Sequence, residues 1–395
     1  MRRARKLTMD PCYKPFFGGR ILRRRYLMFF LPLLLLVQTG LAGKNAAPPP
    51  QLTGAKAAVL MECRTGQILW SKNQHIRLPP ASTTKIMTVS LALEALPLAR
   101  VVTVSRHASL ADGSSIWLEQ GEQRTVAELV YGAMLNSGND ACVALAEAVS
   151  GTEESFARLM TERARKLGAH DTNFTNADGL PRADHYSSAY DLALITVHAL
   201  RNPVFTEIVR TKVKNIPWPG KDWDRRLINH NKLLWRYEGA DGVKTGYTIE
   251  SGKCLVASAT RGGRRLIAVV LNGQGMYDEI SSLLDYGFNH YDLMVADKPV
   301  VKKVKVSGGK TSYVVAKPEG DLAYTVPSVL RSKVRVLRSC PGTIEAPVSK
   351  GQKLGWAGLY CQDRFLVRVP LVATDAVKHR GLFWSLTAFI MRLFA

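Results

Sequence analysis

The sequence predicts an α+β fold in which an antiparallel sheet is flanked by helices, followed by a smaller β-rich domain. Three observations carry that expectation. Short apolar strands come first, a block of helical periodicity fills the middle, and paired strands return before residue 271. Strands, helices and strands drawn from one core imply helices packed on a sheet. Beyond Tyr291 the apolar period is two, as in Val304 and Val306 and again Val334 and Val336, with glycine and proline turns between. That pattern implies a small all-β module.

Each element has its own local signal. Residues 57–63 and 67–71 are apolar stretches around Arg64-Thr65-Gly66, which reads as a hairpin. Pro79 and Pro80 lead into Ser82 and the run Ile86, Met87, Val89, Leu91, Leu93, a helix buried on most sides. Val126, Leu129, Val130, Ala133 and Met134 keep helical spacing, Asn136-Ser137-Gly138-Asn139 interrupts it as a turn, and residues 141–149 resume a helix. Further helical stretches cover 154–167 and 189–200. Residues 242–248, 255–260 and 266–271 then read as adjacent antiparallel strands, the last two joined by Arg261-Gly262-Gly263-Arg264.

The two ends differ from the middle. Arg20 and Arg23 to Arg25 precede an apolar run over 26–37, with Gly40, Leu41 and Ala42 after it, so residues 1–43 read as a signal peptide and the protein as exported. The twelve positions of that run are too few to cross a bilayer comfortably. Removing residues 1–43 lowers the formal net charge from +22 to +14. From Lys298 to Leu371 fourteen Lys and Arg stand against four Asp and Glu. An exported basic module points to an anionic envelope partner, a membrane surface or wall polymer, and to no nucleic acid.

In the tail, Leu382, Phe383, Trp384, Leu386, Phe389, Ile390, Met391, Leu393 and Phe394 face a narrower polar stripe of Lys378, Gly381, Ser385 and Arg392. Eleven residues between Arg380 and Arg392 suit a helix lying in a membrane interface rather than one crossing it. The expected organisation is therefore a main α+β domain over 44–292, a β-rich domain over 293–373 and an amphipathic membrane-anchor helix over 374–395, holding the protein at the outer face of the cytoplasmic membrane. Cys63, Cys142, Cys254, Cys340 and Cys361 contain no C-x-x-C, and the histidines no H-E-x-x-H, so neither metal nor cofactor is expected. Cys340 and Cys361 fall in one small module, where an oxidising compartment would let them pair.

Chemistry enters at Ser82-Thr83-Thr84-Lys85. Three-residue spacing on a helix puts the serine hydroxyl and the lysine amine on one face, although a serine there is also an ordinary N-cap. A lysine with an unperturbed pKa of about 10.4 serves as a base only where burial and neighbouring positive charge lower it. Ser137-Gly138-Asn139 and Lys244-Thr245-Gly246 offer the partners such a pair requires. A turn serine relays a proton, and an asparagine holds a substrate amide while orienting the lysine. A strand lysine and threonine bind a carboxylate, and the glycine admits a close ligand. The chain also carries decoys, Ser307-Gly308-Gly309-Lys310 in a β-module turn and Ser71-Lys72-Asn73 in the first hairpin.

Taken together, S-T-T-K, S-G-N and K-T-G resemble the signature of the penicillin-recognising serine enzymes. The longer segments M-L-N-S-G-N-D-A, H-Y-S-S-A-Y-D-L-A and D-G-V-K-T-G-Y-T resemble low-molecular-weight D-alanyl-D-alanine carboxypeptidases, over roughly residues 52–372. The resemblance implies a β-lactamase/transpeptidase-like catalytic domain that removes the terminal D-Ala from peptidoglycan stem peptides through an acyl-enzyme, with β-lactams as covalent inhibitors. It assigns Ser82 as nucleophile, Lys85 as general base, Ser137 as relay, Asn139 as substrate holder, and Lys244, Thr245 and Gly246 as the carboxylate site. The backbone N–H groups of Ser82 and Tyr247 would form the oxyanion hole.

Departures from the family pattern are few. Tyr247 stands where many relatives have histidine, Gly138 where β-lactamases have aspartate, and no E-x-x-L-N lies between Asp171 and Asp191. A β-lactamase-like hydrolase and a non-catalytic wall-binding protein are the alternatives; retention of Ser82, Lys85 and Lys244 argues against the second. His185 reads as an exposed loop residue, and Asp191 as a helix pair or cap.

Overall fold

The computed structural model describes residues 48–296 and 301–381. The expected signal peptide, 1–43, and the stretch 382–395 of the expected anchor lie outside the described residues.

A five-stranded antiparallel sheet runs in the order Ile68–Lys72, Ala57–Glu62, Arg264–Gly273, Gly252–Arg261, Ala240–Thr248. Because side chains alternate along a strand, each central strand feeds both faces. Ala57, Val59, Met61, Ile267, Val269 and Leu271 enter one core, while Ala58, Leu60, Leu266, Ala268 and Val270 enter the other. The first core is closed by the helices Lys85–Ala95, Val126–Leu135, Asn139–Ser150, Glu153–Lys166, Ala189–Ala199 and Pro203–Arg210. The second is closed chiefly by Met276–His290, whose buried Ile280, Leu283, Leu284 and Gly287 recur at helical spacing. That helix was not anticipated, although its 280, 283, 284, 287 pattern was present in the sequence between two runs of strand.

The β-rich part holds a six-stranded sheet, Arg335–Ser339, Lys353–Cys361, Arg364–Ala373, Tyr313–Pro318, Lys302–Ser307, Thr343–Glu345, and the pair Tyr291–Val295 with Ala323–Pro327. Val304 and Val306 are buried while Lys303 and Lys305 are exposed, so these two lysines of the basic surplus lie on the solvent face of an alternating strand. Arg64 reaches the Asp321 carboxylate with two hydrogen bonds, and the Gln67 amide bonds the Thr325 backbone in both directions. These contacts tie the first hairpin to the module.

One open question is answered here and one expectation is corrected. Cys340 and Cys361 are free thiols. Residues 374–381 are not helical: Val377 is buried in the module and exchanges two 2.8 Å backbone hydrogen bonds with Val348, while the Arg380 N–H donates to the Gly308 carbonyl. The period that suggested a helix there had counted Lys378 and Gly381 into a polar stripe. Backbone pairing with the module decides otherwise. Among the described residues no single helix is long and apolar enough to cross a membrane.

Candidate active site

Ser82 lies in a 3-10 turn, Ala81–Thr84, that runs directly into the helix Lys85–Ala95. Neither element uses Ser82 as a cap, since their N-caps are Pro80 and Thr84 and no side-chain cap bond is made. The capping alternative is thereby removed. Lys85 is fully buried, and its Nζ lies 2.9 Å from Ser82 Oγ, 2.7 Å from Asn139 Oδ1 and 2.6 Å from the Asp178 carbonyl oxygen. A charged amine donates to all three. A neutral amine has two N–H bonds and a lone pair, and the amide and carbonyl oxygens can only accept. The lone pair is then directed at Ser82, the partner that can donate.

Three segments converge to build this arrangement. Asn139 opens the helix Asn139–Ser150; its N–H donates to the Ser114 carbonyl and its Nδ2 to that of Asp112. Ser137, just before it, has a left-handed backbone (φ 63) and is buried, and its hydroxyl makes no hydrogen bond among the described residues. The loop after residue 171 supplies the Asp178 carbonyl. Thr88 Oγ1 donates to Ala177 O at 2.6 Å, and Ala177 N–H donates to the buried Glu153 carboxylate. Gly179, at φ 91, packs so closely that an added Cβ would lie 2.0 Å from Ala81 O.

His185 contradicts its sequence reading, because it is buried rather than exposed. The Thr175 N–H donates to its Nδ1, so Nε2 carries the proton and donates to Thr84 Oγ1 at 2.9 Å. Burial, with Arg182 and Lys85 adding to it, lowers its pKa to about 3 and keeps the ring neutral. Asp191 is also not a cap. Ser188 caps that helix, and the Asp191 carboxylate accepts from Asp171 N–H and Thr172 Oγ1, closing the base of the loop.

The opposite wall is the edge strand Ala240–Thr248. An added Cβ on Gly246 would sit 3.0 Å from Ser82 N and from Ala81 Cβ, so the glycine is what lets strand and turn touch. Lys244, two residues earlier, points to the same face and is buried. Its Nζ donates weakly to the Thr245 carbonyl (3.2 Å), and no carboxylate pairs with it among the described residues. Burial, then the charge of Lys85, lowers its pKa to about 7. Burial also lowers Lys85 from its ordinary value, with Asp178 and Asp140 working against it. Cys142 beside them is pushed up to about 12 by burial and stays a neutral thiol. Thr245 and Tyr247 have the other parity, half-buried and 66% exposed respectively.

The structure thus brings together Ser82, Lys85, Asn139, Lys244 and Gly246, with Ser137 in the adjoining turn. Sequence reasoning missed Asp178, which acts through its backbone, and the supporting roles of Thr84, Thr88 and His185. A backbone carbonyl has no side-chain signature to read.

Comparison with known proteins identifies the family. Residues 43–275 match the D-alanyl-D-alanine carboxypeptidase family of peptidases, and residues 288–379 match the C-terminal domain of penicillin-binding protein 5. The chain is 38% identical to the D-alanyl-D-alanine carboxypeptidase DacF of Bacillus subtilis, covering 83% of this chain and 87% of that one. It is 34% identical to DacC of Escherichia coli, over 92% and 94%. Among solved structures, penicillin binding protein 5 from Haemophilus influenzae superposes with a TM-score of 0.72 at 32% identity, covering 84% of this chain and all of that one.

The neutral His185 makes a pH dependence of stability. Its ordinary value is 6.5, so between about 6.5 and 3 the unfolded chain binds a proton that the folded one does not. Stability falls as pH drops through that window, this group contributing up to about 1.4 kcal/mol per pH unit. Urea titrations across it should show a shallower loss for His185→Gln than for the unaltered protein. Equal slopes would mean that the ring is already charged when folded.

Proposed function

The chain belongs to the D-alanyl-D-alanine carboxypeptidase family of serine peptidases, and from that premise we propose which of its residues carry the reaction and where in the cell envelope it works. The activity is hydrolysis of the terminal D-Ala from peptidoglycan peptides, with β-lactams binding at the same serine-peptidase site. The β-lactamase-like alternative has no comparable support. What carries the assignment of roles is the three-partner environment of Lys85 Nζ beside Ser82 Oγ.

Neutral Lys85 takes the Ser82 proton as Oγ attacks the carbonyl of the penultimate D-Ala. The oxyanion forms against the N–H groups of Ser82, whose early-turn position leaves it without a helical acceptor, and of Tyr247. The unengaged Ser137 hydroxyl passes the proton to the leaving nitrogen, the C–N bond breaks, and D-Ala departs. Water then cleaves the ester. Asn139 keeps Lys85 in place and binds the substrate amide. The substrate lies along the free edge of Ala240–Thr248 as an added strand.

Lys244, buried without a carboxylate, receives the substrate's terminal carboxylate, and Thr245 is assigned to it on the family pattern alone, its parity on the strand being the other one. The two lysines repel, so a proton on one disfavours a proton on the other. Residues 1–43 direct export, and 382–395 hold the protein on the anionic outer face of the cytoplasmic membrane, supported by their basic and apolar patterns.

Ser82→Ala is expected to abolish both D-Ala release and covalent penicillin labelling with an unchanged circular dichroism spectrum; labelling retained at another residue would overturn the assignment. Lys244→Ala should cost a D-Ala-D-Ala peptide about tenfold to a hundredfold in kcat/KM, the worth of a charge-assisted hydrogen bond. Its C-terminal amide should lose far less. Equal losses on both would mean that Lys244 does not read the carboxylate. A chain ending at Gly381 should keep its peptidase activity and stay in solution, while the full chain floats with anionic liposomes. Flotation of the shortened chain would disprove the anchor.

A further inference from the structure

We propose that the outer face of the β-rich module, around Trp356, Tyr360, Phe365 and Arg368, binds an acidic wall polysaccharide, the peptidoglycan strand itself, outside the catalytic groove. The choice of this polymer rests on the carboxypeptidase reading; the face and its charge do not.

Directly opposed residues of antiparallel strands share a face. Across Arg335–Ser339, Lys353–Cys361 and Arg364–Ala373, Arg335, Tyr360 and Phe365 make one such row and Leu337, Gly358 and Arg368 the next. The intervening Ala357 and Leu359 point the other way, into the module core. Phe365 is 38% exposed and packs edge-on against Trp356 at 4.9 Å and Tyr360 at 5.2 Å. Gly358 makes this possible, since an added Cβ would lie 2.8 Å from the Phe365 ring. The rings cluster on the solvent side of a sheet whose other side already supplies the core, and such a patch marks a contact surface.

Arg368 gives the cluster its chemistry. Its guanidinium lies 5.7 Å from both the Trp356 and the Phe365 ring centres. The rings hold the planar fork while its N–H edge stays open, an arrangement suited to carboxylate recognition. The three strands carry Arg335, Arg338, Lys353, Arg364 and Arg368 and no Asp or Glu. Asp363, in the turn between the last two, accepts from the Tyr360 hydroxyl at 3.4 Å. The ion pairs described for this module, Arg331 with Asp292 and Arg64 with Asp321, use none of the five.

Charge complementarity therefore calls for an acidic partner, and the rings for one with apolar faces. A glycan strand bearing peptides supplies both. Sugar rings present C–H faces to aromatic residues, and peptide carboxylates, which substrate and shortened product both possess, recur along the polymer. A membrane held by the tail belongs to a different surface. Arg380 N–H bonds the Gly308 carbonyl just beyond Lys302–Ser307, so the chain leaves the module there. That strand stands three places from Lys353–Cys361 in the sheet, about 14 Å away.

The test sediments full-length protein with purified sacculi, in non-ionic detergent that covers the tail and after benzylpenicillin has filled the active site. The unaltered protein is expected to sediment, and to lose binding when the sacculus carboxylates are amidated. Arg368→Gln should weaken binding about tenfold and Phe365→Ala should weaken it as well, with D-Ala release from a soluble peptide unchanged in both. Failure of the unaltered protein to sediment, equal binding by Arg368→Gln, or indifference to amidation would overturn the proposal. So would an equal loss of flotation with anionic liposomes in Arg368→Gln, which would make the face a membrane contact. An unaltered protein that binds sacculi but neither releases D-Ala nor takes up benzylpenicillin would overturn the carboxypeptidase reading and leave the wall contact standing.

Discussion

A single buried amine with all its partners supplied governs how this catalytic half is built. An uncompensated ammonium in a protein interior is costly, so the fold must bring oxygen atoms to Lys85 Nζ from wherever the chain can provide them. They come from Ser82, Asn139 and Asp178, that is, from the same turn and from positions 54 and 93 residues on. Each source then needs its own support. Asp140 and the loop before it fix Asn139; Glu153, Thr88 and Gly179 fix the Asp178 loop; Asp191 and Thr172 close its base. The threonines of the motif region are thereby explained. Thr84 and Thr88 face the same loop as Lys85 and bond it through His185 and Ala177.

The sheet answers a different need. Its strand order leaves Ala240–Thr248 at an edge, so one row of backbone groups stays available to an extended ligand. Alternation on that strand turns Lys244 and Gly246 toward Ser82, and a one-residue slip would have turned them away. Register is held by two apolar cores, one on each face of the sheet, because strands filled on both faces cannot slip without burying the wrong residues.

Much of this was legible in advance, and the reasons are physical. The hairpin, the central helices and the strands before Gly273 were visible because burial of one face imposes a period on apolar residues. Ser82, Lys85, Asn139 and Lys244 were visible because reactive side chains at fixed spacing belong to a recognisable family pattern. What stayed hidden depends on tertiary contact. His185 looked like an exposed loop residue, yet it is buried and bonded to Thr84, in a turn 101 residues away. The tail beyond Ala373 looked helical by period, while Val348 and Gly308 claim its backbone groups. Asp178 contributes a carbonyl, which every residue has, so no sequence pattern could single it out.

Several unfavourable features lie around the site. Ala81, Trp117 and Ser137 all adopt left-handed backbones without being glycine, and two lysines are buried within electrostatic reach of each other. Such departures persist only where surrounding structure over-determines them. Here the determining structure is the pair of cores and the bonded loops, none of which requires a left-handed serine or an uncompensated lysine for its own stability. The cost of these features is therefore explained by what they receive. A carboxylate at Lys244 and an extended peptide along the free edge would supply the missing partners, so a ligand that completes the site should also be the one that relieves it.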